Sequence, residues 1–527
     1  MDLGLGAEVH PFACLHPWGR LVSVADEVTA NDPGRHGGLD PQIDAALSVA
    51  VERATAYLSG LRERPVRERA TADELREALD LPLADGPTDP AEVVRHLADA
   101  AEPGVVATGS PRYFGFVIGG ALPAALAADW LASAWDQNAG LYVGGPSAAV
   151  AEEVAGRWVL DLLGLPAASS FGFVTGGQMA NATALAAARH GVLSRVGWDV
   201  ERRGLAGAPP LRVLAGDLRH ATIDRALRFL GIGTDALEVV PTGSDARLQV
   251  DALAAALAGD EQPTIVCAQA GEVNSGALDP IAEICEVARA ARAWVHVDGA
   301  FGLWAAASPT RRAELAGVER ADSWATDFHK WLNVPYDSGF VACADPAAHR
   351  GAMGTQAAYL VHAPDAGPRD QMDWNPEFSR RARGFAVYAA LRSLGRRGVA
   401  DLVERCCDRA RQFADRLGEI DGVEVLNDVT LDQVLVRFRP PEGSDGRAQD
   451  ASAGDGDAAG DATTRRVIDA VQASGECWMS GTTWRGRAAM RISVVNWRTT
   501  EADVDRSVAA IEAAVAASRA ASLTPDT

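Results

Sequence analysis

Residues 321–339 read ADSWATDFHKWLNVPYDSG, in which a short apolar run precedes the dipeptide His329-Lys330. A similar run at residues 293–302, AWVHVDGAFG, carries Asp298 near its end. From about residue 150 such runs (FGFVT, LRVLAGD, TIVCAQAG, SGFVACAD) alternate with segments of helical spacing. Short buried runs that alternate with helices predict an α/β fold, in which a mostly parallel sheet is covered by helices on both faces.

A glycine-rich turn follows the first of these predicted strands. Thr175-Gly176-Gly177-Gln178 comes after FGFV and opens a helix, whose free N–H groups and dipole suit a phosphate. Ligands of parallel sheets bind beyond the carboxyl ends of the strands, where this turn is expected. The same residues also fit a plain strand-to-helix turn without a ligand.

Three further side chains at predicted strand ends have the chemistry of a pyridoxal phosphate (PLP) site. Lys330 lies between apolar neighbours, and burial favours the neutral, nucleophilic form of an amine. Asp298 would hold a proton on the pyridine nitrogen, or it would cap the following turn. His220 starts a helix, where its flat ring would stack on the pyridine ring or serve packing alone. Taken together and in this order, the glycine-rich turn, histidine, aspartate and lysine predict a PLP enzyme.

The composition argues against several classes of function. The chain has 527 residues, of which 48% are hydrophobic, and a net charge of −22, which disfavours binding to nucleic acid or to anionic membranes. The seven cysteines show no C-x-x-C pair and are interpreted as reduced thiols of a cytoplasmic protein. Neither a signal peptide, nor a membrane span, nor a metal site is expected from the sequence.

The chain is predicted to have three parts. Residues 1–103 form a helical N-terminal segment, with helices at residues 41–62 and from Asp89-Pro90, where aspartate fits the N-cap and proline the first turn. Residues 104–383 form a large domain, and residues 384–527 form a small α+β domain. Residues 440–464, rich in Gly, Asp, Ala and Ser, are predicted to be a flexible surface insertion before a helix at residues 464–474.

Five motifs resemble those of a known family: SPRYFGF, TGGQMAN, VHVDGAFG, DFHKWLNVPYDSGF and SRRARGF. They are similar to the PLP-dependent group II amino acid decarboxylases of fold-type I, the aspartate aminotransferase superfamily. The resemblance runs from about Pro111 to Trp497, most of the chain. It implies a large domain built on a seven-stranded type of sheet. It also implies a homodimer with the active site at the interface and an N-terminal segment that embraces the partner.

The resemblance also implies a role for individual residues. Lys330 would carry the covalent link to the cofactor, and Asp298 would bind the pyridine nitrogen. His220 and Ala300 would pack on the two faces of the ring. The remaining cofactor-binding residues, mostly around the phosphate, would be Gly176, Gly177, Gln178, Asn274, Asp327 and His329.

The sequence departs from the family pattern at four places, one of which is that Ala-Thr follows His220 in place of Ser-Ser. Glu272 lies in a segment, AGEVNSG, where the family has Gly-Thr-Thr, and its role is left open. Asp327 stands where several members have asparagine. Residues 362–371 lack the tyrosine that protonates Cα in aromatic amino acid decarboxylases, so His362 or Tyr359 would be the proton donor. Without such a donor the carbanion could react with oxygen and give an aldehyde.

The predicted reaction is α-decarboxylation of an L-amino acid to the amine. Arg491 would either grip the substrate α-carboxylate, as in the aminotransferases of the superfamily, or form an ion pair; an aminotransferase therefore stays an alternative.

Aromatic side chains slightly favour an aromatic or large apolar substrate, although the same residues would also suit the core. The candidates are Tyr113, Phe114 and Phe116, and further Trp135 and Trp304. Glutamate stays open as a substrate, because arginines could pair with its distal carboxylate. These arginines are Arg112, Arg380 and Arg381.

Overall fold

The computed structural model describes residues 39–259, 261–355, 367–440 and 455–523. The chain divides into two compact units, one with the residues up to Tyr57 and Arg76–Glu102, the other with Leu58–Leu75 and Pro103 onwards. The predicted boundaries of the three parts, between residues 103 and 104 and between residues 383 and 384, stay predictions.

The N-terminal helices follow the sequence pattern closely. They are α1 (Pro41–Gly60), α2 (Ala72–Leu79) and α3 (Pro90–Ala101). Helix α3 begins where predicted, because Oδ1 of Asp89 accepts the N–H of Glu92 at 3.0 Å and Pro90 occupies the first turn.

After residue 103 the helices and strands first alternate, and the last four strands form a separate, smaller sheet. The helices are α4 (Pro123–Trp135), α5 (Pro146–Leu163), α6 (Gly177–Ser194), α7 (Val200–Arg203), α8 (Ala221–Phe229), α9 (Val250–Leu257), α10 (Ile281–Ala290), α11 (Pro346–Met353), α12 (Gly384–Gly418), α13 (Asp455–Ser474) and α14 (Glu501–Leu523). The strands are β1 (Ser170–Val174), β2 (Arg212–Gly216), β3 (Leu237–Val240), β4 (Thr264–Gln269), β5 (Trp294–Asp298), β6 (Ser323–Asp327), β7 (Gly339–Cys343), β8 (Val423–Val425), β9 (Gln433–Phe438), β10 (Ser480–Trp484) and β11 (Arg487–Ser493).

The larger sheet has seven strands in the order β1-β7-β6-β5-β4-β2-β3. Only β7 runs antiparallel to its neighbours, which confirms the predicted mostly parallel sheet. Successive residues of β2 enter different cores: Val213 and Ala215 join one apolar cluster and Leu214 the other. Helices therefore cover both faces, which explains why the strands read as continuous apolar runs.

The smaller sheet has four antiparallel strands in the order β10-β11-β9-β8. Its core includes Phe413 and Met490, and also Phe114 from far upstream, whose N–H donates to the carbonyl of Trp478 at 2.8 Å. Helix α13 begins at Asp455, so the predicted insertion is too long at its C-terminal end; residues 441–454 lie outside the described part. Alanines 458, 459 and 462 are strong helix formers, which outweighs the Gly/Asp composition there.

Among the described helices, none has the length and apolarity needed to cross a membrane. The described residues likewise hold no group of three or more side chains able to bind a metal ion.

Candidate active site

The predicted site residues meet at the carboxyl edge of the larger sheet. Asp298 ends β5 and Asp327 ends β6, while Gly177 begins the helix after β1 and His220 follows β2. Strands β2, β4, β5 and β6 are parallel, so their carboxyl ends lie on the same edge. The fold thus brings together residues that are up to about 150 positions apart in the chain.

Lys330 lies three residues beyond β6, in the turn that leads to β7. Its Nζ is 3.0 Å from Oδ2 of Asp327, and its side chain is 20% exposed. The amine is therefore held at the sheet edge by an ion pair, while part of it stays accessible to a ligand.

Asp327 connects three groups of the site. Its Oδ1 accepts the N–H of Gly177 at 2.5 Å and lies 3.5 Å from Nε2 of His329, while Oδ2 faces Lys330. The side chain is almost fully buried. The aspartate at this position, a departure from the family pattern, therefore links the turn after β6 to the N-terminus of α6.

Asp298 is buried and accepts hydrogen bonds from neutral donors. Its Oδ2 accepts Nδ2–H of Asn181 at 3.0 Å, and its Oδ1 accepts the N–H of Ala300 at 3.3 Å. A buried carboxylate with neutral donors favours a cationic partner, and a protonated pyridine nitrogen is one.

His220 is the N-cap residue of α8 and is fixed from two sides. Its N–H donates to Oε1 of Gln269 at 3.1 Å, and its Nδ1 lies 2.9 Å from Oγ1 of Thr222. Burial lowers the pKa of His220, although the charge of Asp298 opposes this. The ring is therefore neutral at pH 7, as stacking on a pyridinium requires.

Three glycines allow the chain to pack closely at the start of α6. A Cβ at Gly339 would lie 2.5 Å from Cα of Gly176, a Cβ at Gly176 would lie 2.9 Å from Cε1 of His329, and a Cβ at Gly177 would lie 2.9 Å from Oδ2 of Asp327. Only glycine allows these close approaches, which bring His329 and Asp327 against the N-terminus of α6.

His329 stacks on a residue that the sequence did not indicate. Its ring centroid is 4.3 Å from that of Tyr336 with an interplanar angle of 27°, and its Nδ1 accepts the N–H of Ser338 at 3.1 Å. Burial lowers the pKa of His329. Its Nε2, the nitrogen directed toward Asp327, is left for contacts at the start of α6.

Glu272 holds together the turn after β4. Its carboxylate accepts the N–H groups of Asn274 and Ser275 at 3.0 and 2.7 Å, Oγ–H of Ser275 at 2.9 Å, and Nδ2–H of Asn274 at 2.8 Å. The Asn274 amide oxygen in turn accepts the hydroxyl of Thr482 at 2.8 Å. The unexpected glutamate therefore has a structural role in this loop.

Arg491, in β11, lies against the same loop. Its Nη1 donates to the carbonyl of Val273 at 3.3 Å, whereas its buried Nε has no hydrogen-bond partner in the described part of the chain. Burial lowers the pKa of Arg491, and the charge of Glu272 opposes this.

The aromatic candidates separate into surface and core residues. Tyr113 stacks on Trp478 at a centroid distance of 5.1 Å, and Phe116, which is 57% exposed, tilts against the same ring at 5.2 Å. Phe114 packs edge-on against Phe413 inside the smaller core, so it does not line a pocket.

The two tryptophan candidates have different surroundings. Trp304 is buried and donates to the carbonyl of Asp327 at 3.0 Å, whereas Trp135 is half exposed and packs edge-on against Phe385.

The three arginines that left glutamate open as a substrate all have partners within the chain. Arg112 donates to the carbonyls of Glu476 and Arg62. Arg380 pairs with Glu152 at 2.8 Å, both fully buried, and Arg381 pairs with Asp129 at 2.7 Å. Each of these three arginines therefore has a protein partner in place of a substrate carboxylate.

Two predicted residues, Tyr359 and His362, lie outside the described residues. The structure adds Asn181, which donates to Asp298 and is itself hydrogen-bonded to Thr222 and His296. Of these residues, only Asn181 had a signal in the sequence: it lies one helical turn after Gly177, and this spacing indicates that the two face the same site.

A lysine and a buried aspartate at the carboxyl edge of a seven-stranded sheet of this order are the features of the fold-type I PLP enzymes. The chain matches the pyridoxal-dependent decarboxylase conserved domain over residues 73–439. It is 30% identical to tryptophan decarboxylase 1 of Oryza sativa subsp. japonica over 469 residues, which covers 85% of this chain and 88% of that protein. It is 24% identical to phenylacetaldehyde synthase of a Rosa hybrid cultivar over 454 residues, 83% and 87% of the two chains.

Among solved structures, the crystal structure of Oryza sativa TDC with PLP and tryptamine matches with a TM-score of 0.82 and 26% identity, over 92% of this chain and all of that one. The chain therefore belongs to the pyridoxal-dependent decarboxylase family, and it is a PLP-dependent amino acid decarboxylase, as the motifs predict. The residues present fit the cofactor, because the N-terminus of α6 suits its phosphate, the buried carboxylate of Asp298 its pyridinium and the amine of Lys330 its aldehyde.

Proposed function

We propose that this enzyme removes the α-carboxylate of an aromatic L-amino acid and releases the amine. The observation that carries the proposal is the placement of Lys330 and Asp298 on one sheet edge in a chain of this family. Two further observations support an aromatic substrate. A tryptophan decarboxylase is among the relatives, and the exposed ring of Phe116 lies against Trp478, which also stacks on the buried Tyr113.

The chain's own residues would divide the work as follows. PLP, when bound, supplies an electron sink for the electrons of the broken bond. Lys330 would hold the cofactor until the substrate amine takes its place, and it would later release the product. Asp298 would accept the pyridinium hydrogen bond, while His220 and Ala300 would confine the ring. The phosphate would contact Gly177, Gln178 and His329, and Gly176, Asn274 and Asp327 would complete the cofactor site.

The proton donor to Cα decides between two products. His362 or Tyr359 would supply the proton for amine formation. The similarity to a phenylacetaldehyde synthase favours a second candidate function, oxidative decarboxylation to an aldehyde. Membership of the decarboxylase family supports a decarboxylase over an aminotransferase, and Arg491, whose Nε has no hydrogen-bond partner among the described residues, would be available to a substrate carboxylate.

A product screen tests these alternatives. The purified enzyme with PLP is given single L-amino acids without a keto acid, in air and under nitrogen, and the products are measured by mass spectrometry. An aromatic amine lighter than its parent by carbon dioxide is the expected product. An aldehyde that forms only in air would assign the oxidative reaction. Turnover that requires a keto acid would overturn the decarboxylase proposal.

The enzyme is further proposed to be a cytoplasmic homodimer with its active site at the interface. The six described cysteines are all free and buried, which suits a reducing compartment. Helix α1 exposes Ile43, Leu47 and Val51 at four-residue spacing, an apolar stripe that suits a partner subunit. Leu47→Glu should shift the mass in solution toward that of a monomer, whereas Glu52→Lys on the same helix should not. A monomeric wild-type protein would contradict the proposal.

A further inference from the structure

Asn181, in α6, is buried beneath the candidate site and touches three polar side chains. Its Nδ2 lies 3.0 Å from Oγ1 of Thr222 and 3.0 Å from Oδ2 of Asp298, and its Oδ1 lies 2.9 Å from Nε2 of His296. One amide group therefore uses both of its N–H bonds and its oxygen within the protein interior.

The direction of these hydrogen bonds follows from their chemistry. An ionised carboxylate only accepts, so Nδ2 of Asn181 must face Asp298 and Oδ1 must accept from Nε2–H of His296. Burial lowers the pKa of His296 to about 4, so its ring is neutral at pH 7 and its Nδ1 is an acceptor. Ser323, whose Oγ lies 3.1 Å from Nδ1, therefore donates to it and accepts Nε1–H of Trp294 at 2.9 Å.

The second N–H of Asn181 leads to the other side of the site. It donates to Oγ1 of Thr222, whose hydroxyl is then left to donate to Nδ1 of His220 at 2.9 Å. The backbone N–H of Thr222 also points at this Nδ1, at 3.3 Å, which makes Nδ1 the acceptor. The hydrogen bonds thus form a row that runs from Trp294 through Ser323 and His296 to Asn181, and every donor in it points in the same direction. At Asn181 the row divides into one branch to Asp298 and another through Thr222 to His220.

We propose that Asn181 is a positioning residue that fixes both Asp298 and His220 through this row of hydrogen bonds. The proposal rests on the roles proposed above for these two residues. Because the donors all point the same way, the carboxylate is kept as an acceptor with one oxygen oriented and the imidazole is kept in its Nε2–H form. Aligned hydrogen bonds strengthen one another, so a change at the distant end reaches Asp298.

The quantity to measure is the strength of the contact between Asp298 and the ring nitrogen of the cofactor. PLP and an analogue with carbon in place of the ring nitrogen are bound to the cofactor-stripped enzyme, and the ratio of their dissociation constants gives the preference for nitrogen. Asn181→Leu keeps the number and branching of the side-chain heavy atoms and Asn181→Ala does not, but both remove the hydrogen bonds. We expect each to lower the preference roughly tenfold or more, the size of one lost charge-assisted hydrogen bond.

Two comparisons separate positioning from packing. A packing role predicts that Asn181→Leu behaves like the wild type and only Asn181→Ala is impaired. Asn375→Leu changes another buried asparagine, which donates to the carbonyl of Gln371, and should leave the preference unchanged. Thermal unfolding of the cofactor-stripped variants shows which of them are folded.

Ser323→Ala gives an independent test if both Asn181 variants fail to fold. It removes the donor to Nδ1 of His296 without touching Asn181, and the preference for nitrogen should fall in the same direction by a smaller factor. An unchanged preference in the folded Asn181 variants, or in Ser323→Ala when they do not fold, would overturn the inference. A wild-type enzyme with no preference would instead contradict the role proposed for Asp298.

Discussion

Asp432 should make the stability of the enzyme depend on pH in an unusual direction. It precedes β9 and is fully buried; Nε2 of Gln433 donates to its Oδ2 at 3.2 Å, whereas Oδ1 has no hydrogen-bond partner among the described residues. Burial raises the pKa of Asp432 from 3.8 to about 7, although Gln433 and the charges of Lys330 and Arg311 oppose this.

The sign and size of the effect follow from that pKa. The folded protein keeps the proton of Asp432 where the unfolded chain has lost it, so stability falls as the pH rises from about 4 to about 7. The rise from 3.8 to about 7 corresponds to roughly 4 kcal/mol at full ionisation, a ceiling because the buried carboxylate can still shift toward Gln433. Asp432→Asn cannot ionise, so its advantage over the wild type should be near zero at acid pH and largest above neutrality.

The measurement is the urea midpoint of both proteins as holoenzymes between about pH 5 and pH 8. The difference between variant and wild type should grow with pH. Asp428→Asn, at an exposed position four residues upstream, is the control and should leave this pH dependence unchanged. A difference that does not vary with pH, or a variant less stable than the wild type at pH 8, would refute the reasoning.

Three further changes have defined outcomes. Arg380→Met would leave the Glu152 carboxyl without its partner in a fully buried site, at a cost of about 3–5 kcal/mol in urea unfolding; a cost under about 1 kcal/mol would show that the pair contributes little. Glu272→Ala removes the acceptor of the turn at residues 274–275 and should cost about 1–3 kcal/mol and expose this turn to proteases; an unchanged digestion pattern would contradict its structural role. Lys330→Ala should abolish both amine formation and the cofactor mass retained after borohydride reduction, and retained mass would place the covalent link elsewhere.

The sequence was sufficient for six of the seven strands of the larger sheet, because they are buried on both faces, whereas the edge strand β3 is partly exposed and was not predicted. Short, mostly apolar runs within residues 293–302 and 321–339 are typical of such strands, and the helical segments between them indicate parallel connections. Lys330, Asp298 and His220 could be placed on one edge for the same reason, since the carboxyl ends of parallel strands coincide.

The network around Asp298 could not be predicted in the same way. Asn181 and His296 are 115 residues apart, and nothing local to either one indicates the hydrogen bond between them. Phe114 was expected near a substrate but lies in the smaller core, because its N–H and C=O pair with residues 478 and 493. A single sequence gives the periodicity of an element but not which distant backbone it pairs with.

That pairing of Phe114 has a consequence for synthesis on the ribosome. The residues that cover its side chain lie in α12 and in the strands of the smaller sheet, and its hydrogen-bond partner Trp478 is 364 positions downstream. At roughly 5–20 residues per second, this nascent segment waits on the order of twenty seconds to a minute before its partner has been translated. A bare aromatic side chain exposed for that long is a target for chaperones. Chains released before about residue 478 would carry it uncovered and should be retained by chaperones or degraded.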